Sequence, residues 1–88
     1  MLEFSIGDVV VSTRGRDMGE MYVILEIKGD YLFLANGKNK TIDTPKPKKM
    51  KHIQKTIYHL DEIAQRLQND EKVLDREIRK AIDNLNIM

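Results

Sequence analysis

Between Gly7 and Ile42 apolar side chains return at every second position, whereas beyond Tyr58 they return every three to four. This change of period constrains the fold more than any other feature. A pleated strand turns successive side chains to opposite faces, while a helix gathers positions i, i+3 and i+4 on one stripe. The first half therefore predicts strands: DVVVST (8–13), MYVILEIK (21–28), YLFLAN (31–36) and a weaker NKTID (39–43). Between them lie the glycine-bearing RGRDMGE (14–20), the Gly29-Asp30 turn and the Asn36-Gly37 turn. Met21, Val23, Leu25 and Ile27 share one face of the second strand, and Leu32 and Leu34 one face of the third, so a curled antiparallel sheet buries both rows. Pro45 and Pro47 keep residues 44–48 extended. Alternation resumes in MKHIQ (50–54), where Ile53 or the Met50 side closes the sheet. About five short strands with tight turns predict a small antiparallel barrel, because closure leaves little edge exposed.

After the change of period, Leu60, Ile63, Ala64 and Leu67 form one apolar stripe, and Leu74, Ile78, Ala81, Ile82 and Leu85 another. The stripe is interrupted in NDEK (69–72), and Asp75 suits a helix N-cap, so two helices with a break near 69–75 are expected, a single bent helix being the alternative. The predicted fold class is mainly β with C-terminal α. Residues 1–56 form the barrel, and residues 57–88 form a helical hairpin packed on it.

At 88 residues the chain hides only ~60–65% of its unfolded surface, which leaves no room for a large enclosed active site. It has no cysteine, which excludes a disulfide framework and thiolate zinc sites and fits a reducing cytoplasm. No apolar run is long enough to suggest a membrane segment, so a cytoplasmic chain without membrane contact is expected. The net charge is only +1, yet it is unevenly distributed. Residues 38–55 hold seven lysines against one acid, Asp43, while the flanking segments each carry more acids than bases. A local positive field of this kind suits a specific anionic partner.

The stretch GDVVVSTRGRDMGEMYVILEI resembles the KOW motif, in which alternating apolar residues surround a glycine, here Gly19. The continuation YLFLANGKNKTIDTPKPKKMKHIQKT is similar to the branch found in certain archaeal and eukaryotic large-subunit ribosomal proteins and in small bacterial KOW-domain RNA-binding proteins. EIRKAI (77–82) extends the resemblance to nearly the whole chain. Tyr22 stands where many KOW sequences have a second glycine, which separates the chain from the transcription-elongation branch. The resemblance implies an SH3-like barrel and RNA binding, with structured ribosomal RNA or the ribosome as partner in translation or ribosome assembly. It places the contacts at Arg14, Gly15, Arg16 and Gly19 in the first loop, and at Lys38, Lys40, Lys46, Lys48, Lys49, Lys51 and His52 in the later basic segments.

These residue types suit such a task, since lysines neutralise phosphates and an arginine fork takes two phosphate oxygens or stacks on a base. A lysine run also coats many soluble surfaces, so the competing expectation is a protein–protein adaptor that uses the barrel or the C-terminal helices. Tyr22, Tyr31 and Phe33 read more readily as sheet residues than as stacking platforms. His52 and His59 lack the spacing and companions of a metal site. No nucleophile constellation or phosphate-cradling glycine loop is present, so no enzyme, cofactor or small-molecule substrate is expected.

Overall fold

The structure is a computed structural model and describes residues 3–86. Its strands are β1 (Asp8–Ser12), β2 (Met21–Lys28), β3 (Tyr31–Ala35), β4 (Lys46–Lys49) and β5 (Ile53–His59), with a 3-10 turn at Met50–His52 between the last two. Two helices follow, α1 (Asp61–Gln68) and α2 (Asp75–Asn86). The strands form one antiparallel sheet in the order β4-β3-β2-β1-β5. The fold is thus mainly β with C-terminal α, as the periods predict. The sheet is open, with β4 and β5 at its edges, so the expected barrel closure is absent from the strand pairing among the described residues. Because only the three-residue turn joins these two edge strands, the sheet must curl until they approach each other.

Both faces of the curled sheet are buried. One side holds Val10, Tyr22, Ile24, Leu32, Leu34 and Ile53, with Phe4, Ile27 and Met50 packed against them. On the other, Val9, Val23 and Ala35 meet Ile63, Val73, Ile78 and Ile82 from the helical segment. Sheet and helices thus meet in the cluster around Val9 and Ile78, while the cluster around Val10 and Tyr22 lies on the other face of the sheet, and each fully buried aliphatic side chain in either contributes roughly 1.5–3 kcal/mol. Met21, Val23 and Leu25 face the helices as one row, but Ile27 faces the opposite cluster. The reason is a bulge: Ile24 pairs with Leu34 and Glu26 with Phe33, which leaves Leu25 as the extra residue and reverses the alternation beyond it. Leu32 and Leu34 therefore meet Tyr22, Ile24 and Ile27, and not the Met21 row.

Three segments differ from expectation. Residues 39–43 form no strand, because the Asn36 side chain accepts from the amides of Lys38 (2.9 Å) and Lys40 (3.1 Å), and the Ile42 amide donates to Asp75 Oδ1 (2.8 Å). Side-chain acceptors thus take the donors a ladder would use. The fourth strand is instead the basic stretch itself, and Pro47 is tolerated there because β4 is an edge. At the other end, MKHIQ is broken by the 3-10 turn, and β5 runs on to His59, so residues 57–59 belong to the sheet and not to the helices.

The break between the helices falls where NDEK predicts it. Asp70 takes a left-handed conformation (φ 57°), and Glu71 N donates to Arg66 O (2.8 Å), as in a Schellman termination. Asp75 lies inside the first turn of α2 and serves Ile42, so the expected cap is displaced. Glu77 reaches back to the Leu74 amide (2.9 Å), the second half of a capping box. Arg66 Nη1 also bonds Glu77 Oε1 (2.7 Å), which ties α1 to α2. The Arg66 hydrogen bond, then that of the Leu74 amide, bring the Glu77 carboxyl down to about 2. No helix among the described residues is long and apolar enough to cross a membrane.

Candidate nucleic-acid interface

The β1–β2 loop, residues 13–20, carries Arg14 and Arg16 with both side chains exposed. Its base is closed by Ser12 N to Glu20 O (3.0 Å) and Gly19 N to Ser12 O (2.8 Å), and turns within it by Met18 N to Gly15 O (3.2 Å) and Glu20 N to Asp17 O (2.9 Å). Gly15 and Gly19 are exposed, and at Gly19 nothing stands within 4 Å of where a side chain would begin, so a ligand can approach the backbone there.

One lysine of the basic strand reaches this loop from within. Lys48 pairs with Leu32 across the β3–β4 ladder and Lys46 with Leu34, so both start from the side of the sheet that holds Val10, Tyr22 and Ile24, away from the helices. The Lys48 stem is buried, and its ammonium donates to Ser12 Oγ (2.6 Å), Asp17 Oδ1 (2.6 Å) and the Arg14 carbonyl. Asp17 also accepts from the Tyr22 hydroxyl (3.0 Å), and Lys46 Nζ stands 3.2 Å from its second oxygen. Burial pushes the Asp17 carboxyl up, but hydrogen bonds from Lys48, Tyr22, Ser12 and Lys46 outweigh it and hold the group well below the usual carboxylate range. Burial, and then the hydrogen bond to Asp17, push the Tyr22 hydroxyl well above its ordinary value.

A second tie joins the loop to the turn after β4. Thr13 N donates to His52 O (2.9 Å), and Met50 N donates to Asp30 O (2.9 Å), so the 3-10 turn is fixed to two hairpins at once. Around the half-buried His52 stand Lys51, Arg14, Lys48 and Lys49, and its imidazole is lowered from the ordinary value by burial first and by these charges next. Lys49 points to the opposite side of β4 from Lys48, with its ammonium 5.8 Å from the centre of the half-exposed Tyr31 ring.

The remaining expected residues divide. Arg16, Lys40 and Lys46 border a shallow depression that also contains Asp17, Glu20, Tyr22 and Asn39. Lys38 lies toward the helices, 3.8 Å from Asp83, in an exposed pair that contributes little. The structure thus gathers Arg14, Lys49, Lys51 and His52, sets Arg16, Lys40 and Lys46 around the depression, and turns Lys48 inward. Sequence reasoning missed Ser12, Asp17 and Tyr22 as a polar group. The one available signal was the period of β4 itself, which separates Lys46 and Lys48 from Lys49.

The arrangement offers anions a set of fixed cations and an exposed glycine-bearing backbone. Comparison with known proteins adds no family: no protein-family model and no curated protein matches the chain.

Proposed function

We propose that the protein binds RNA in the cytoplasm, with structured ribosomal RNA as the ligand class and a role in translation or ribosome assembly, through a KOW-type basic surface. The observation that carries this reading is the bonding of two basic segments far apart in sequence, by Thr13 to His52 and by Arg14 to Lys48. A polyanion then meets cations whose spacing is already set, and less conformational entropy is lost on binding than with a loose lysine run. The resemblance to KOW proteins supplies the choice of RNA among polyanions. A second reading, a protein adaptor, is favoured by Ile57, which is 92% exposed on the edge strand β5. The apolar residues of α1 and α2 pack on the sheet, so β5 rather than the helices is where such a partner would dock.

Salt dependence tests the RNA reading. With Lys48 paired internally, Lys46 shared with Asp17 and Lys38 beside Asp83, the expected contacts left without a carboxylate partner among the described residues are Arg14, Arg16, Lys40, Lys49 and Lys51. If all five meet phosphates, log K plotted against log salt should fall with a slope of about −3.5 to −4.5. An adaptor would bind RNA weakly or not at all at low salt, and its affinity for a protein partner would not follow this slope.

Proton linkage gives an independent check. Burial and then the neighbouring cations lower the proton affinity of His52, and a phosphate beside it would relieve that repulsion and raise it. Binding should then take up a proton, so RNA affinity should increase as pH falls from about 7.5 to about 5.5. His52→Gln should abolish the increase. Titration of affinity against pH for both proteins, with no pH response in the parent chain, would exclude His52 from the contact.

A further inference from the structure

We propose that Lys48 is a positioning residue for the anion-binding loop and not itself a phosphate contact, an inference that rests on the RNA reading above. An ammonium has three N–H donors and no acceptor. All three are used here, on Ser12 Oγ, Asp17 Oδ1 and the Arg14 carbonyl, and the side chain is only 9% exposed. No donor remains for a ligand. The acceptors lie at the end of β1 (Ser12), at the second residue of the β1–β2 loop (Arg14) and in its middle (Asp17), so one buried charge fixes the backbone that carries the Arg14 and Arg16 side chains. Its location explains how it reaches them: Lys48 pairs with Leu32, on the side of the sheet that also holds Tyr22, and its buried stem carries the ammonium to the loop. Lys48 also neutralises Asp17, whose carboxylate would otherwise repel a polyanion at the same place.

The proposal separates Lys48 from Lys49 and Lys51, which share its charge but not its surroundings. Lys49 is half-buried on the opposite side of β4, and Lys51 is exposed on the 3-10 turn. Removing either of these should delete one phosphate contact wherever the loop stands. Removing Lys48 should instead act through the arginines.

A double-mutant comparison decides between these roles. Lys48→Met alone takes from Asp17 its buried cation and leaves only Lys46 to balance the carboxylate, so the main variant is the charge-balanced D17N/K48M. Its affinity for a labelled RNA stem-loop is measured at about 0.1 M salt, in the parent chain and again with Arg14→Gln and Arg16→Gln present. The two arginine contacts together carry a salt exponent of about 1.4 to 1.8, so releasing the loop should weaken binding by roughly tenfold or more in the parent chain. In the arginine-free background the same change should have almost no effect. Heteronuclear NOE values for the amides of residues 14–19, measured without RNA, should fall in D17N/K48M while those of β1 and β2 stay high.

Equal losses in both backgrounds would assign Lys48 a phosphate of its own and overturn the proposal. So would unchanged affinity in both, or loop amides as rigid in the variant as in the parent chain. If the parent chain fails to bind RNA, the RNA reading falls by itself, and the NOE comparison still decides whether Lys48 fixes the loop.

Discussion

Gly37→Ala is expected to cost roughly 2–5 kcal/mol of folding stability, as the sum of a left-handed backbone penalty and forced overpacking against a helix. Gly37 has φ +78°, and an added Cβ would stand 2.7 Å from Arg79 N and 3.0 Å from Arg79 Cβ, while also striking the Asp75 carbonyl. These are backbone atoms and a β-carbon of α2, so no rotamer change relieves the contact. Gly7→Ala should behave alike, since at φ +92° its Cβ would run into the Ala64 side chain and lie 3.1 Å from Ala64 Cα. A domain of this size has a total stability of only ~4–13 kcal/mol, so either change approaches the limit of folding. Gly29 provides the control: its φ is +59°, but nothing lies within 4 Å, and only the backbone penalty applies. Urea unfolding of the three alanine variants checks the account. Equal costs at Gly37 and Gly29 would mean that α2 does not rest on the Asn36-Gly37 turn.

The triple variant R14Q/K49Q/K51Q should lose RNA affinity by about 100- to 500-fold at 0.1 M salt, on counterion release from three phosphates alone. Stability should change little, because none of the three side chains lies in either core cluster. The largest local loss is the Lys49 contact with the Tyr31 ring, at about 0.5–1 kcal/mol. Lys38→Gln is the matched control, since its ammonium already faces Asp83 and lies apart from the gathered set. Binding measured by fluorescence anisotropy, with equal losses for the triple variant and for Lys38→Gln, would remove the gathered surface from any role in recognition.

How far the sequence reveals this protein depends on the range over which each determinant acts. The alternation in 21–28 and 31–36 is local, and it located β2 and β3 to within a residue. The helix break is local as well, because the missing apolar position in NDEK ends the stripe of α1. The bulge at Leu25 is not local: it is a mismatch of register between two strands, and nothing in MYVILEIK by itself moves Ile27 to the other face. NKTID has the composition of a strand, yet Asn36 and the distant Asp75 take its amide donors. Gly37 reads as turn chemistry, which is correct as far as it goes, but its contact with α2 requires the tertiary fold. The candidate site follows the same rule. Lys46, Lys48, Lys49 and Lys51 look equivalent as charges, and what distinguishes Lys48 is that it meets Ser12 and the Arg14 carbonyl as well as Asp17, 31 residues away, whereas among the described residues Lys46 meets Asp17 alone.

The central claim is that a folded scaffold presents Arg14, Lys49, Lys51 and His52 as one preformed surface to RNA. Titrating the isotopically labelled protein with an RNA stem-loop, and following backbone amide shifts at low salt, tests it most directly. The account predicts shifts confined to residues 13–20, 48–53 and the neighbourhood of Lys40, with the rest of the spectrum unmoved and the changes reversed by added salt. Shifts centred on β5 near Ile57, or none at all, would contradict it.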